Sequence, residues 1–278
     1  MEEYATLAAT APPIKAIARL NRGWLAAGGA TVWIMAARPL DRSPRQRDIF
    51  AGEDGRGGHH GDGRLRDMLT IWTLDWVPDG SRGFVRDLRL RWAAEEAGLA
   101  YTVATVPFDG RQSNHLDRQP SGQMPMLTDG DASLFESGAG LLHLAHKSSI
   151  LMPTDTAGAS ETLQWVIAAL NSIEMVTVPW WFLTKSGAAD NGLTAWMDSR
   201  LAHMERVLSE REWLAADRFT VADLLMADVL RIAELRAHGD RPATDAYIER
   251  LTNRPAFKKA HADQMAHFAA ADRRRATR

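Results

Sequence analysis

Apolar and polar positions change their period several times along this chain, and the changes mark out its elements. Leu69 to Leu74 (L-T-I-W-T-L) alternates, which is the period-two signature of a strand. A loop follows, Asp75 to Gly83, with a turn at Asp79-Gly80. Phe84 to Ala97 then has the spacing of a helix, with Leu88, Leu90, Trp92 and Ala93 apolar and Gly98 placed to end it. Tyr101 to Val106 reads as a second strand. Pro125 opens a short apolar run, Met126-Leu127, and Asp129-Gly130-Asp131 is a hairpin turn leading to a strand over Ala132 to Phe135. Glu136-Ser137-Gly138 opens a helix with Leu141, Leu142, Leu144 and Ala145 on its apolar side.

From a linker near Leu151 to Ala159 onward the pattern is helical to the end. Ser160 to Val176 is one long segment, which Pro179 is expected to break before Trp180-Trp181-Phe182. Leu193 to Glu210 is the next. Thr220 and Asp223 have capping-box spacing, flanked by Phe219 and Leu224 as a hydrophobic staple. The helix they open, Leu224 to Leu230, is apolar nearly all round and therefore central. Asn253-Arg254-Pro255 turns the chain into a last helix, and Arg273-Arg274-Arg275 reads as a frayed basic tail.

Residues 1–67 follow none of these periods. Gly23 to Ala37 is largely apolar but shorter than the roughly 20 residues that span a bilayer. Lys15, Arg19 and Arg22 before it imitate a secretory leader. Arg38 to Asp67 is rich in Arg and Gly and has a disordered composition. The expected organisation is an extension over 1–67, foldless or an upstream start, with a targeting segment as the alternative. A domain over 68–150 and a helical domain over 160–270 follow it.

The stretch Gln119 to Leu127 (Q-P-S-G-Q-M-P-M-L) carries the chemistry. A proline at the mouth of a strand gives no N–H to a ladder. Pro125 is therefore either an ordinary trans proline at a strand's first residue or the second half of a cis bond that turns the Met124 backbone outward. Glu136-Ser137 likewise has two readings: simple helix capping, or a carboxylate-binding site at a helix N-terminus, where unsatisfied N–H groups and about half a positive charge collect.

Turn, proline-led strand, hairpin, strand, then Glu-Ser at a helix start resembles the glutathione-binding half of the glutathione transferases, over residues 119–145. The R-W-A-A-E-E-A-G-L-A-Y, F-T-V-A-D-L and N-R-P-A-F-K-K runs resemble further parts of that family. The resemblance implies an α+β fold: a thioredoxin-like βαβ-α-ββα domain followed by an all-α helical bundle. It implies glutathione as co-substrate, held by Gln123, Met124, Pro125, Glu136 and Ser137. It also implies a cytoplasmic homodimer with a role in detoxification. The implied reaction joins the glutathione thiolate to a small apolar electrophile, or uses it in peroxide reduction or isomerisation.

The family usually activates the thiol with a Tyr, Ser or Cys after the first strand, and here the match fails. Ser81 is the only hydroxyl in the loop, and Arg82, Arg86 and the backbone N–H groups at Gly83-Phe84 are the other candidates, so Ser81 and Arg86 are the expected catalytic residues. The arginines have a plain alternative as salt-bridge partners of Asp79 or Asp87. Trp180, Trp181 and Phe182 are candidates for the wall of an apolar substrate pocket. A non-catalytic glutathione- or protein-binding module on the same fold is the rival reading.

Composition narrows this further. The chain has no cysteine, which removes disulfides, thiolate metal sites and a cysteine nucleophile. A net charge of −2 gives no reason to expect nucleic acid as a partner. No membrane and no metal are expected either: His143/His146 and His261/His267 lack an acidic third ligand in register.

Overall fold

The computed structural model describes residues 68–109, 119–187 and 191–276. The expected extension over 1–67 lies outside the described residues. So do 110–118, in the interval where the thioredoxin-like arrangement has its second helix.

Four strands form one sheet in the order β2-β1-β3-β4: β1 is Thr70–Leu74, β2 is Thr102–Val106, β3 is Met126–Asp129 and β4 is Ala132–Phe135. β1 and β2 run parallel with Thr70 opposite Thr102, as a strand–helix–strand unit requires. β3 is antiparallel to both β1 and β4, and Met126 faces Trp72 on one side and Phe135 on the other. The crossover helix α1 covers Asp87–Ala97 and ends at Gly98, whose φ of 66° is a left-handed stop. It begins later than the periodicity predicts, because Phe84 to Arg86 form turns rather than helix. Helix α2 spans Ser137–Ala145, and α1 packs between it and the last helix of the chain.

The second half is helical throughout: α3 (Thr156–Ala168), α4 (Met175–Lys185), α5 (Thr194–Glu210), α6 (Val221–Leu230), α7 (Ala233–Ala237), α8 (Pro242–Thr252) and α9 (Pro255–Ala276). This is the thioredoxin-like domain and helical domain that the sequence implies.

Two local expectations need correction. Pro179 does not break its helix: α3 runs through a π segment, Ala169–Glu174, into α4, which contains the proline. The carbonyl that lacks the Pro179 N–H is that of Met175. It lies where the ladder is already changing register, so the missing bond falls at an existing irregularity. The basic tail continues α9, and Arg275 places its guanidinium 4.3 Å from the Trp76 ring centre and pairs with Asp109 at 2.9 Å. Residues 156–185 are long and apolar enough to cross a bilayer by length and composition alone. Thr162, Val166, Ala169, Ile173, Val176 and Trp180 along them are nonetheless buried within the protein.

Helix α6 is the pivot. All ten of its residues are buried, including two carboxylates, Asp223 and Asp228. Asp223 completes the capping box by accepting from Thr220 N–H at 2.9 Å, and it also holds Leu214 N–H and the Tyr247 hydroxyl. Losing such a cap costs about 0.5–2 kcal/mol. Asp228 points at the site described next.

Candidate active site

The site lies where the start of α1, the start of α2, the π segment and the end of α6 converge. Arg89 is its centre. Its side chain is only 3% exposed, and it reaches three elements at once. Nε donates to Asp228 at 2.6 Å, Nη2 to Glu174 at 2.7 Å, and Nη1 to Ser137 Oγ at 3.2 Å. Glu174 is shared, because Arg86 donates to the same Oε1 from Nε at 3.1 Å. Asp228 is shared too, bonding Arg231 at 2.7 Å.

Three arginines thus meet two carboxylates, leaving one net positive charge beside the N-terminus of α2. Burial works against every charge here, but the partners win. Asp228 and then Glu174 hold the Arg89 guanidinium above its ordinary pKa. Arg89 and then Arg86 hold Glu174 below its own, and Arg231 and then Arg89 do the same for Asp228. Arg89, Glu174 and Asp228 are therefore each held in the charged form at neutral pH.

Met124–Pro125 is a cis peptide bond. Met124 precedes the first paired residue of β3, so its N–H and C=O lie outside the ladder. Its side chain packs with Leu74, Val77 and Phe268. Gln123 is exposed beside it.

At the start of α2, Glu136 is exposed and has φ 70° with ψ 124°, a conformation that L-residues rarely hold. Such a backbone costs about 1–3 kcal/mol and persists where the surroundings impose it. Glu136 makes no side-chain capping hydrogen bond, and the Ser137 hydroxyl is engaged by Arg89, so plain capping does not describe this pair.

The candidate thiol-activating groups separate. Ser81 is exposed at the end of a short 3₁₀ turn, Asp79–Ser81, and its carbonyl accepts from Phe84 N–H. Gly83 N–H is taken by Gln264, so neither of the two expected backbone donors is available. Arg82 pairs with Asp79, as its plain reading anticipates, and also donates twice to Asp272. The Arg82 and Trp76 hydrogen bonds hold the Asp272 carboxyl down at about 2. Arg86 pairs with Glu174 rather than with Asp79 or Asp87, and at 39% side-chain exposure it alone of the three network arginines reaches appreciably to solvent.

The aromatic trio also separates. Trp180 is buried, donates to Thr194 and packs on His238, so it walls no pocket. Successive helix residues point about 100° apart, so three in a row cannot share a wall. Trp181 is half-buried with its indole N–H on Glu234, and exposed Phe182 packs edge-on against it. Among the described residues no cluster of three His, Asp or Glu side chains is placed to hold a metal ion.

A two-domain protein with a thioredoxin-like sheet, an outward backbone before a cis-proline and a Glu-Ser helix start is of the glutathione transferase class, and the comparisons agree. Residues 80–146 match the glutathione S-transferase N-terminal domain and 189–255 the C-terminal domain. Glutathione S-transferase F11 of Arabidopsis thaliana is 30% identical over 185 residues, covering 59% of this chain and 86% of that one. A glutathione transferase from Burkholderia graminis, solved with two glutathione molecules per subunit, has a TM-score of 0.61 at 26% identity, covering 70% and 88% of the two chains. The nitrogen regulation fragment of the yeast prion protein Ure2p shares the fold, with a TM-score of 0.59 at 19% identity over 71% and 97%. The chain belongs to the glutathione S-transferase family.

Proposed function

We propose that this protein binds glutathione between the Met124 backbone and the Glu136-Ser137 turn, and joins its thiolate to a small apolar electrophile. The observation that carries this is the Ser137–Arg89–Glu174–Arg86 chain. It joins the N-terminus of α2 to a half-exposed guanidinium at the start of α1. In this reading Ser137 and the α2 N-terminus take a carboxylate of the ligand, and Glu136 takes its ammonium. The N–H and C=O of Met124 pair with its backbone, as in strand addition. Gln123 lies beside that contact.

The chemistry needs a thiolate. A thiol with a pKa of about 8.5 is only a few per cent ionised at neutral pH. Lowering it by about two units takes roughly 2.7 kcal/mol of differential stabilisation. Arg86 supplies positive charge at the start of α1, where the helix dipole adds to it. The thiol proton leaves to solvent, the sulfur forms a bond to the electrophilic carbon, and the leaving group departs with its electron pair. Trp181 and Phe182 offer the apolar surface for that electrophile.

A second copy of the chain belongs to this reading. Leu163, Ile167 and Met175 are exposed along the α3–α4 helix, and Phe135 and Ile150 are exposed as well. A two-fold contact through α2 and α3 would cover apolar surface of this kind.

The rival is a protein that binds glutathione without turning it over. The single hydroxyl of the loop, Ser81, lies out in solvent, and one protein that shares the fold is a nitrogen regulation fragment. A glutathione titration run beside turnover of chlorodinitrobenzene and of a peroxide separates the two. Binding with turnover supports the transferase, and binding without turnover across both substrates supports the rival.

A further inference from the structure

The segment that presents Arg86 is held by one buried amide from the far end of the chain. Gln264 lies midway along α9 with its side chain wholly buried. Its Oε1 accepts from Gly83 N–H at 3.1 Å. Its Nε2 donates to the Val85 carbonyl at 3.0 Å and to Asp87 Oδ1 at 2.6 Å. With one donor on one side and two acceptors on the other, only this orientation of the amide satisfies all three partners. The partners bracket Phe84–Arg86, and all three belong to the loop or to α1.

The loop has little other freedom here. Gly83 has φ 77°, and a Cβ on it would meet His261 Nε2, one turn back along α9, at 2.8 Å. Its carbonyl accepts from Arg231, whose guanidinium also lies 4.5 Å from the Phe84 ring centre. Farther along α9, Asp272 holds Arg82 and Trp76. The last helix therefore grips both ends of the loop, and Gln264 is the contact nearest Arg86.

We infer that Gln264 is a positioning residue for the transfer reaction: it fixes the Gly83–Asp87 turn and thereby aims Arg86 at the bound sulfur. This rests on the transferase reading above. Displacing a reacting group by about 1 Å can cost on the order of a hundredfold in rate, and the turn relaxes once its amide is removed. Glutathione affinity is set elsewhere, at Met124, Glu136 and Ser137, none of which Gln264 touches. The two effects should therefore separate.

The test compares the full-length chain with Gln264→Met, which keeps the bulk and removes the bonds, and with Gln264→Glu, which keeps the shape and loses the donor until it is protonated. Three quantities are read: kcat, the dissociation constant for glutathione, and the pH midpoint of the thiolate absorption of bound glutathione. The expected result is a kcat at least about tenfold lower and a midpoint about one unit higher, with affinity within roughly twofold. The Gln264→Glu defect should shrink as pH falls, because the protonated acid regains a donor, while the Gln264→Met defect should not.

Variants with the kcat and thiolate midpoint of the wild type, or with losses that follow only the amount of folded protein, overturn the inference and leave the transferase reading standing. A wild-type chain that binds glutathione without ionising it overturns both.

Discussion

Arg89 donates to Ser137 at 3.2 Å from helix α1 to the start of helix α2, while two carboxylates from the helical domain, Glu174 and Asp228, hold it from the other side. The serine proposed to bind the ligand is thus set by residues from both halves of the protein. Stability and ligand binding can be pulled apart by choosing which contact to remove.

Ser137→Ala removes the ligand contact and little else, since Arg89 keeps both carboxylates. A hydrogen bond to a charged group is worth about 1.5–3 kcal/mol. Glutathione affinity should fall roughly ten- to hundredfold in calorimetric titration, with the melting temperature nearly unchanged. Had the hydroxyl served only as a cap, the opposite pattern would appear: lower melting temperature and unaltered affinity.

Asp228→Asn removes a carboxylate that is 5% exposed from two arginines. Breaking a buried pair in this way costs about 3–5 kcal/mol, so denaturant unfolding should show a loss of that order.

The pH dependence follows from the same network. Glu174 and Asp228 titrate lower in the folded chain than in the unfolded one. Their stabilisation is therefore complete above the ordinary carboxylate pKa of roughly 4 and is lost as pH falls through the folded values. Burial raises Asp87 and Asp223, whose contributions run the other way and soften the acid limb. Unfolding free energy measured against pH should drop below about pH 4, and Asp228→Asn should make that drop shallower.

Part of this was legible in the sequence and part was not, for a physical reason. The Met124-Pro125 turn, the hairpin and Glu136-Ser137 are local patterns, each written in adjacent residues, and the structure brings them to one edge. Arg89, Glu174 and Asp228 meet only through the tertiary fold. Their signal lies in α6: beyond the capping Asp223, Asp228 is the one further acid in a helix that is otherwise core, and a buried acid needs a buried base. Arg89 and Arg91, in a helix with an apolar face, are the matching excess. The grip of Gln264 and Asp272 on the loop spans more than 170 residues of chain and left no local trace.

Glu136→Gly tests the strained turn. Relief of the backbone should exceed the conformational freedom that glycine gains in the unfolded chain, raising stability by roughly 0.5–2 kcal/mol. Glutathione affinity should fall because the ammonium partner is gone. A variant that is less stable than wild type would show that the turn is not strained.

Leu163→Glu with Ile167→Glu puts two charges on the exposed face of α3. If that face is covered by a second copy, sedimentation should change from dimer to monomer at micromolar concentration, with helical content retained. A wild-type chain that is already monomeric there would contradict the assembly.

The central claim, that Arg86 ionises the thiol of a glutathione whose carboxylate is held at Ser137, is tested most directly by one titration: the thiolate absorption of bound glutathione against pH, in the wild type, Arg86→Gln and Ser81→Ala. The account predicts a midpoint about two units below the free thiol in the wild type and in Ser81→Ala, and a return most of the way toward about 8.5 in Arg86→Gln. A midpoint unmoved by Arg86→Gln, or displaced by Ser81→Ala instead, would contradict it.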